Sequence, residues 1–179
     1  MSVRAPTTQP VSTVVTFLEM TERPRTKAFE FPAANVRVDH VSKPDIAFYR
    51  HLYDGVGRDY LWVNRKHWSD EKLARTIHDD GVEIHCLYVD GHLAGFSELD
   101  FRLAPDTEIT FFGLMPDFVG AGLSRPFLAA ILTEAWRPQI ERVHLQTCTC
   151  DHPAALPLYQ KMGFVAFGRT TETLIPYTD

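Results

Sequence analysis

"MPDFVGAGLSRPFLAAIL", Met115 to Leu132, runs from an extended apolar approach through a turn holding Gly120 and Gly122 into a stretch with helical periodicity. Phe127, Leu128, Ile131, Leu132, Ala135 and Trp136 recur on one side, which predicts a helix over about 123–136 that Pro138 ends. Such a helix leaves its first N–H groups unpaired and partly positive, and glycines without a Cβ let an anion approach them. Pro126 falls in the first turn, where a missing N–H costs least. Taken alone, such a turn is more often a tight bend than an anion site. A Walker loop is excluded by the lack of a following lysine and hydroxyl residue, and a dinucleotide fingerprint by Arg125 where glycine is needed.

Outward from the turn, "TEITFFGLM" before it and "RVHLQTCTC" after it have strand character. "HPAALPLYQKMG" is a short helix closed by Gly163, and "FVAFGRTTETLI" a last strand. Upstream, "VEIHCLYV", the tight turn at Asp90 and Gly91, and "HLAGFSELDFRL" complete an antiparallel meander. Two helices precede it, "KPDIAFYRHLYDGVG" with Ser42 as a candidate cap and "DEKLARTI" with Ser69. "VRVDHV" and "STVVTFLEMT" are the first strands. Two strands, two helices, three strands, helix, strand, helix, strand predicts an α/β class: a mixed, mostly antiparallel sheet with helices on both faces.

The 179 residues suit one domain, read here as a flexible N-terminus over 1–12 and a single domain over 13–179. A net charge of −5 argues against nucleic acid as partner, because tracking a phosphodiester needs clustered cations. No apolar run is long enough for a bilayer or a secretory signal, which predicts a cytoplasmic protein with no membrane partner, monomer or homodimer. Cys86, Cys148 and Cys150 imply no disulfide framework. Cys148 and Cys150 would share one strand face, and "CTCDH" reads as structural thiols in preference to a metal site with His152, so no metal is expected. The aromatic "RDYLWVNRKHW" is either core cover or the wall of an acceptor site.

"TEITFFGLMPDFVGAGLSRPFLAAIL" resembles the cofactor-binding motif of the GNAT acyltransferase superfamily, and "HPAALPLYQKMGF" resembles its later motif through Ala155, Leu158, Tyr159, Gly163 and Phe164. The two occur in the family's order and at about its spacing, and the elements fit the GNAT-like acyl-CoA N-acyltransferase fold from about Val36 onward. The strand around Val14 to Glu19 has no counterpart in the minimal form. Val119 stands where arginine or glutamine usually opens the loop, Ser124 where glycine closes it, and His152 where asparagine is usual.

The resemblance implies acetyl-coenzyme A as acyl donor and a primary amine, small molecule or peptide, as acceptor. The diphosphate would lie over Val119, Gly120, Ala121, Gly122, Leu123 and Ser124, helped by the Ser124 and Arg125 side chains; the pantetheine would pair with Leu114 and Met115, and His152 and Ala155 would complete the cofactor site. A free N–H at Leu114 or Met115 would serve the oxyanion of a tetrahedral intermediate, and Tyr159 would protonate the departing thiolate. Deprotonating a lysine-like amine at neutral pH costs about 4 to 5 kcal/mol and an α-amine only about 1, so a base matters most for side-chain amines. Glu108, directly or through water, is the carboxylate placed to serve, with His85, His144 and the Asp151 and His152 pair as alternatives. Trp62 and Trp68 would flank the acceptor and Asp59 meet its charge. A module that binds acyl-coenzyme A without catalysis is the rival reading.

Overall fold

The computed structural model describes residues 9–24 and 29–176. In chain order the elements are β1 (Val11–Met20), β2 (Val36–Val41), α1 (Ile46–Gly57), α2 (Asp70–Ile77), β3 (Val82–Val89), β4 (His92–Asp100), β5 (Asp106–Leu114), α3 (Ser124–Ala135), β6 (Arg142–Cys148), α4 (Ala155–Lys161) and β7 (Val165–Leu174). β1 starts at Val11, inside the segment expected to be flexible, while residues 1–8 lie outside those described. Among the described residues no helix is long and apolar enough to cross a membrane.

Local chemistry explains where the helices begin. Ser69 caps α2 by accepting from the Lys72 amide at 3.3 Å. The cap of α1 is Asp45, which accepts from the Ala47 amide at 2.8 Å, and not Ser42. Pro44 disfavours helical geometry at the residue before it, and Lys43 takes φ 48°, so the helix starts only beyond the proline. α4 begins at Ala155, which puts Pro157 in a first turn where its missing N–H breaks no helical bond.

The seven strands form one sheet in the order β2-β3-β4-β5-β6-β1-β7. β2 to β5 are an antiparallel meander, and β1 pairs antiparallel with both β6 and β7. β6 and β7 therefore run parallel with the N-terminal strand inserted between them. One face carries α3 and α4, with Phe127, Leu128, Ile131 and Tyr159 packed among Leu18, Leu99, Ile109 and Leu145. The other carries α1 and α2, with Tyr49, Leu52, Leu73 and Ile77 against Ile84, Cys86 and Phe96. β6 ends at Cys148 and Cys150 sits in the following turn, so the two thiols do not share a strand as expected.

Two irregularities open the sheet at its centre. β5 and β6 pair in parallel over three rungs only, Asp106 with Arg142, Thr107 with Val143 and Glu108 with His144. On its other edge β5 slips register: Leu99 faces Ile109 but Glu98 faces Phe111, leaving Thr110 as an extra residue. The bulge brings Glu108 and Phe111 to the same face, the one under α1 and α2, because their partners Asp100 and Glu98 are two residues apart.

Candidate active site

Beyond the Glu108–His144 rung the strands part around a cavity of about 660 Å³ that passes through the sheet. On the α3–α4 side it is lined by Leu114, Val119, Gly120, Gly122, Ser124, Arg125, Ala155 and Tyr159. On the α1 side its lining is Tyr53, Tyr60, Trp62, Phe111 and Asp151.

Gly120 and Gly122 hold φ 86° and 76°, the left-handed region that side chains resist. A Cβ on Gly120 would meet nothing within 4 Å, so the turn is open and not plugged by side chains. The Val119 and Ala121 amides close the turn on itself, donating to Pro116 O at 3.2 Å and Phe118 O at 3.3 Å. The N–H groups of Gly120, Gly122, Leu123, Ser124 and Arg125 have no acceptor among the described residues, and no side chain caps α3. Leu123 contributes only its amide, since its side chain is in the core, and the Arg125 guanidinium stacks on Phe29 at 4.5 Å. Free amides at a helix start beside one cation suit a diphosphate, so a coenzyme A head group fits this end.

Along β5 the Met115 N–H donates to Ala94 O at 2.8 Å, which corrects the expectation that it is free for an oxyanion. Backbone groups alternate sides along a strand, so the Leu114 N–H turns to the cleft instead. Gly113 answers a packing need: a Cβ there would lie 2.3 Å from Val56 Cγ1 of α1. Thr110 lines the cavity at the bulge, and its hydroxyl is sealed from solvent with no hydrogen-bond partner. Buried hydroxyls are rarely left so, and an acyl carbonyl is a chemically fitting acceptor.

Tyr159 projects from α4 edge-on to Phe112 and Phe164, at 6.4 and 6.1 Å between ring centres. Its hydroxyl has no partner among the described residues, and burial, with the Asp151 charge second, holds the phenol well above its ordinary value. Glu108 lies at the last paired rung, one residue before Ile109, where the cavity lining begins. Its carboxyl is pushed up by burial first and then by Asp100 and Glu98.

The other sequence candidates divide. His152 spends Nδ1 on the Ala154 amide at 3.1 Å and meets Tyr60 edge-on, 6.1 Å away, at the cavity wall. His85 sits outside the cavity beside Glu83 at 3.2 Å, its pKa lowered by burial, and His144 is also outside and lowered by burial. Trp62 is both core cover and cavity wall. Trp68 lines a separate hollow, between Arg65 and Lys72 at 4.1 and 4.0 Å, so the expected pair of flanking tryptophans is one. Asp59 is exposed and outside the cavity.

Two clusters were not foreseen. Asp151 accepts from Trp62 Nε1 at 3.1 Å, Thr147 Oγ1 at 2.7 Å and the Cys148 amide at 2.8 Å, tying the loop after α1 to the end of β6. Beneath α1, Glu98 is fully buried, accepts from Tyr49 at 2.5 Å and pairs with Arg65. Glu98 at an inward position of "FSELD" was a legible signal that a cation must lie opposite; which one was not.

Residues 39–164 match the model of the acetyltransferase (GNAT) family. No curated protein matches the chain in sequence. Among solved structures it resembles a GCN5-related N-acetyltransferase from Sphaerobacter thermophilus, with TM-score 0.63 and 18% identity over 96% of this chain and 54% of that one. The ribosomal-protein-S18-alanine N-acetyltransferase from Escherichia coli gives 0.60 and 16%, over 81% and 97%. A functionally unknown conserved protein from Staphylococcus epidermidis gives 0.58 and 19%, over 92% and 62%. The chain thus spans under two thirds of the Staphylococcus protein and about half of the Sphaerobacter protein.

Proposed function

The chain belongs to the GNAT acetyltransferase family, and we propose that it moves an acetyl group from acetyl-coenzyme A to a primary amine. The observation that carries this reading is the cavity through the sheet, with unpaired amides at Gly120, Gly122, Leu123, Ser124 and Arg125 on one side and Tyr159, its hydroxyl unpartnered, in its wall. Bound there, acetyl-coenzyme A supplies an activated acyl thioester. The Gly120, Gly122, Leu123, Ser124 and Arg125 amides hold the diphosphate with the Arg125 guanidinium, and the free edge of β5 at Leu114 aligns the pantetheine. Val119 and Ala155 line that side, and His152 stands further along the wall beside Tyr60.

At the reacting centre the chain offers four groups. The Leu114 N–H and the Thr110 hydroxyl are donors for charge building on the acyl oxygen. Tyr159 keeps its proton across the neutral range and donates it toward the sulfur as the thiolate leaves. Glu108 takes the amine's proton through intervening water, since it stands one residue off the cavity, and its raised pKa makes it a stronger base than an ordinary carboxylate.

The test is release of free thiol from acetyl-coenzyme A over a panel of primary amines, with Tyr159→Phe beside the parent chain. Turnover that falls at least about tenfold in the variant at unchanged donor KM supports the reading. Coenzyme A that binds with no amine turned over would leave a binding module in its place.

A further inference from the structure

The two ends of the cavity carry opposite charge. Among the described residues that line it, Arg125 is the one lysine or arginine, and it stands at the glycine turn. At the other end the carboxylates are Asp151 and Glu172, neither in an ion pair with a described residue. Glu172 faces Thr13 across the β1–β7 ladder, on the exposed edge strand.

Asp151 is satisfied by three neutral donors, one on Oδ1 and two on Oδ2. A carboxylate has about four acceptor positions, so Oδ1 retains one, together with an unneutralised charge. The rings beside it form a wall: Trp62 lies 5.6 Å from Tyr53 and 5.1 Å from Phe111, centre to centre. The indole N–H is donated to a carboxylate, which enriches that ring in electron density and improves its face as a host for a cation. Rings and unpaired carboxylates attract an ammonium on an apolar body and repel a second anion.

We propose that this end of the cleft takes a small amine with an apolar or aromatic body and no carboxylate or other anion, an aralkylamine in its simplest form. The inference rests on the acetyltransferase reading and names the acceptor class of the same site. Asp151 and the Trp62 face hold the ammonium as it arrives, and Glu172 adds to the field that excludes anionic acceptors such as free α-amino acids.

Phenethylamine, phenylalanine and phenylalanine amide share a ring and an amine, and only phenylalanine carries the carboxylate. The amide keeps the ring and the α-amine of phenylalanine and removes the anion, so that pair isolates the carboxylate. Calorimetric titration with coenzyme A present is expected to show phenethylamine and the amide binding at least about tenfold more tightly than phenylalanine. Asp151→Asn is expected to weaken phenethylamine about tenfold with coenzyme A affinity within about twofold, and Glu172→Gln to weaken it less in the same sense. The exposed Glu172 keeps the test open if the Asn amide, facing the Cys148 N–H, disturbs folding. Phenylalanine bound as tightly as phenethylamine, or tighter phenethylamine binding in Glu172→Gln, overturns the proposal. Binding in the expected order without thiol release from acetyl-coenzyme A overturns the transferase reading and leaves the class standing; thiol release that prefers phenylalanine does the reverse.

Discussion

The Trp62 indole N–H reaches the Asp151 carboxylate at 3.1 Å across 89 positions of chain, joining the loop after α1 to the turn before α4 over the cavity. Trp62→Phe keeps a ring against Tyr53 and Phe111 and removes this bond together with part of the indole's packing. The lost hydrogen bond alone, about 1 kcal/mol, sets a fall in Tm of at least roughly 2–4 °C for a chain of this size. Steady-state kinetics should show acceptor KM raised severalfold and donor KM unchanged; an equal rise in both would place the bond in service of the donor instead.

At Gly120 there is room for a side chain but not the backbone freedom it would need, with φ at 86°. Gly120→Val is expected to strain the turn by about 1–2 kcal/mol and to turn amides away from the diphosphate. Coenzyme A affinity, read by calorimetry, should fall about tenfold or more. Unchanged affinity would detach the turn from the ligand.

The unpartnered Thr110 hydroxyl separates stability from function. Thr110→Val has nearly the same shape and removes a buried polar atom that costs free energy when unsatisfied, so Tm should hold or rise. If the hydroxyl serves the acyl oxygen, kcat should drop by roughly tenfold or more. A variant both more stable and fully active would leave the hydroxyl no catalytic part.

For Glu108 the sign of the pH dependence follows from its raised pKa. A carboxyl whose folded value lies above its unfolded one favours folding while both states are protonated, and that support is lost as pH rises through the folded value. Glu108→Gln should therefore melt higher than the parent at neutral pH, with the difference vanishing on acidification below the ordinary carboxyl value. As a base Glu108 must be ionised, so kcat/KM should climb through the same raised value in the parent and lose that limb in the variant.

Arg65 and Glu98 are 7% and 0% exposed in their side chains and answer each other. Arg65→Met leaves the Glu98 charge buried against Tyr49 alone, a loss of about 3–5 kcal/mol in denaturant unfolding. Adding Glu98→Gln should recover part of it, because the stranded charge is gone. Additive losses would mean that the pair does not interact.

The meander, both crossover helices and the glycine turn were legible because each rests on signals within a few residues: periodicity, caps, a turn's glycines. Ser69 capped as expected, whereas Ser42 did not because Pro44 vetoed it from two residues away. "CTCDH" drew attention to its thiols, yet the carboxylate between them and the histidine is the hub, through partners at Trp62 and Thr147 that no local pattern announces.

The sequence by itself settled where most strands and helices lie, and that a two-glycine turn precedes α3, since backbone preference and hydrophobic period act over neighbouring residues. Tertiary structure alone decided that β1 slots between β6 and β7, that a bulge at Thr110 turns Glu108 and Phe111 to one face, and that Met115 loses its amide to Ala94 while Leu114 keeps its own. Those outcomes depend on which edges meet and in what register, and both are set by packing between residues far apart in the chain.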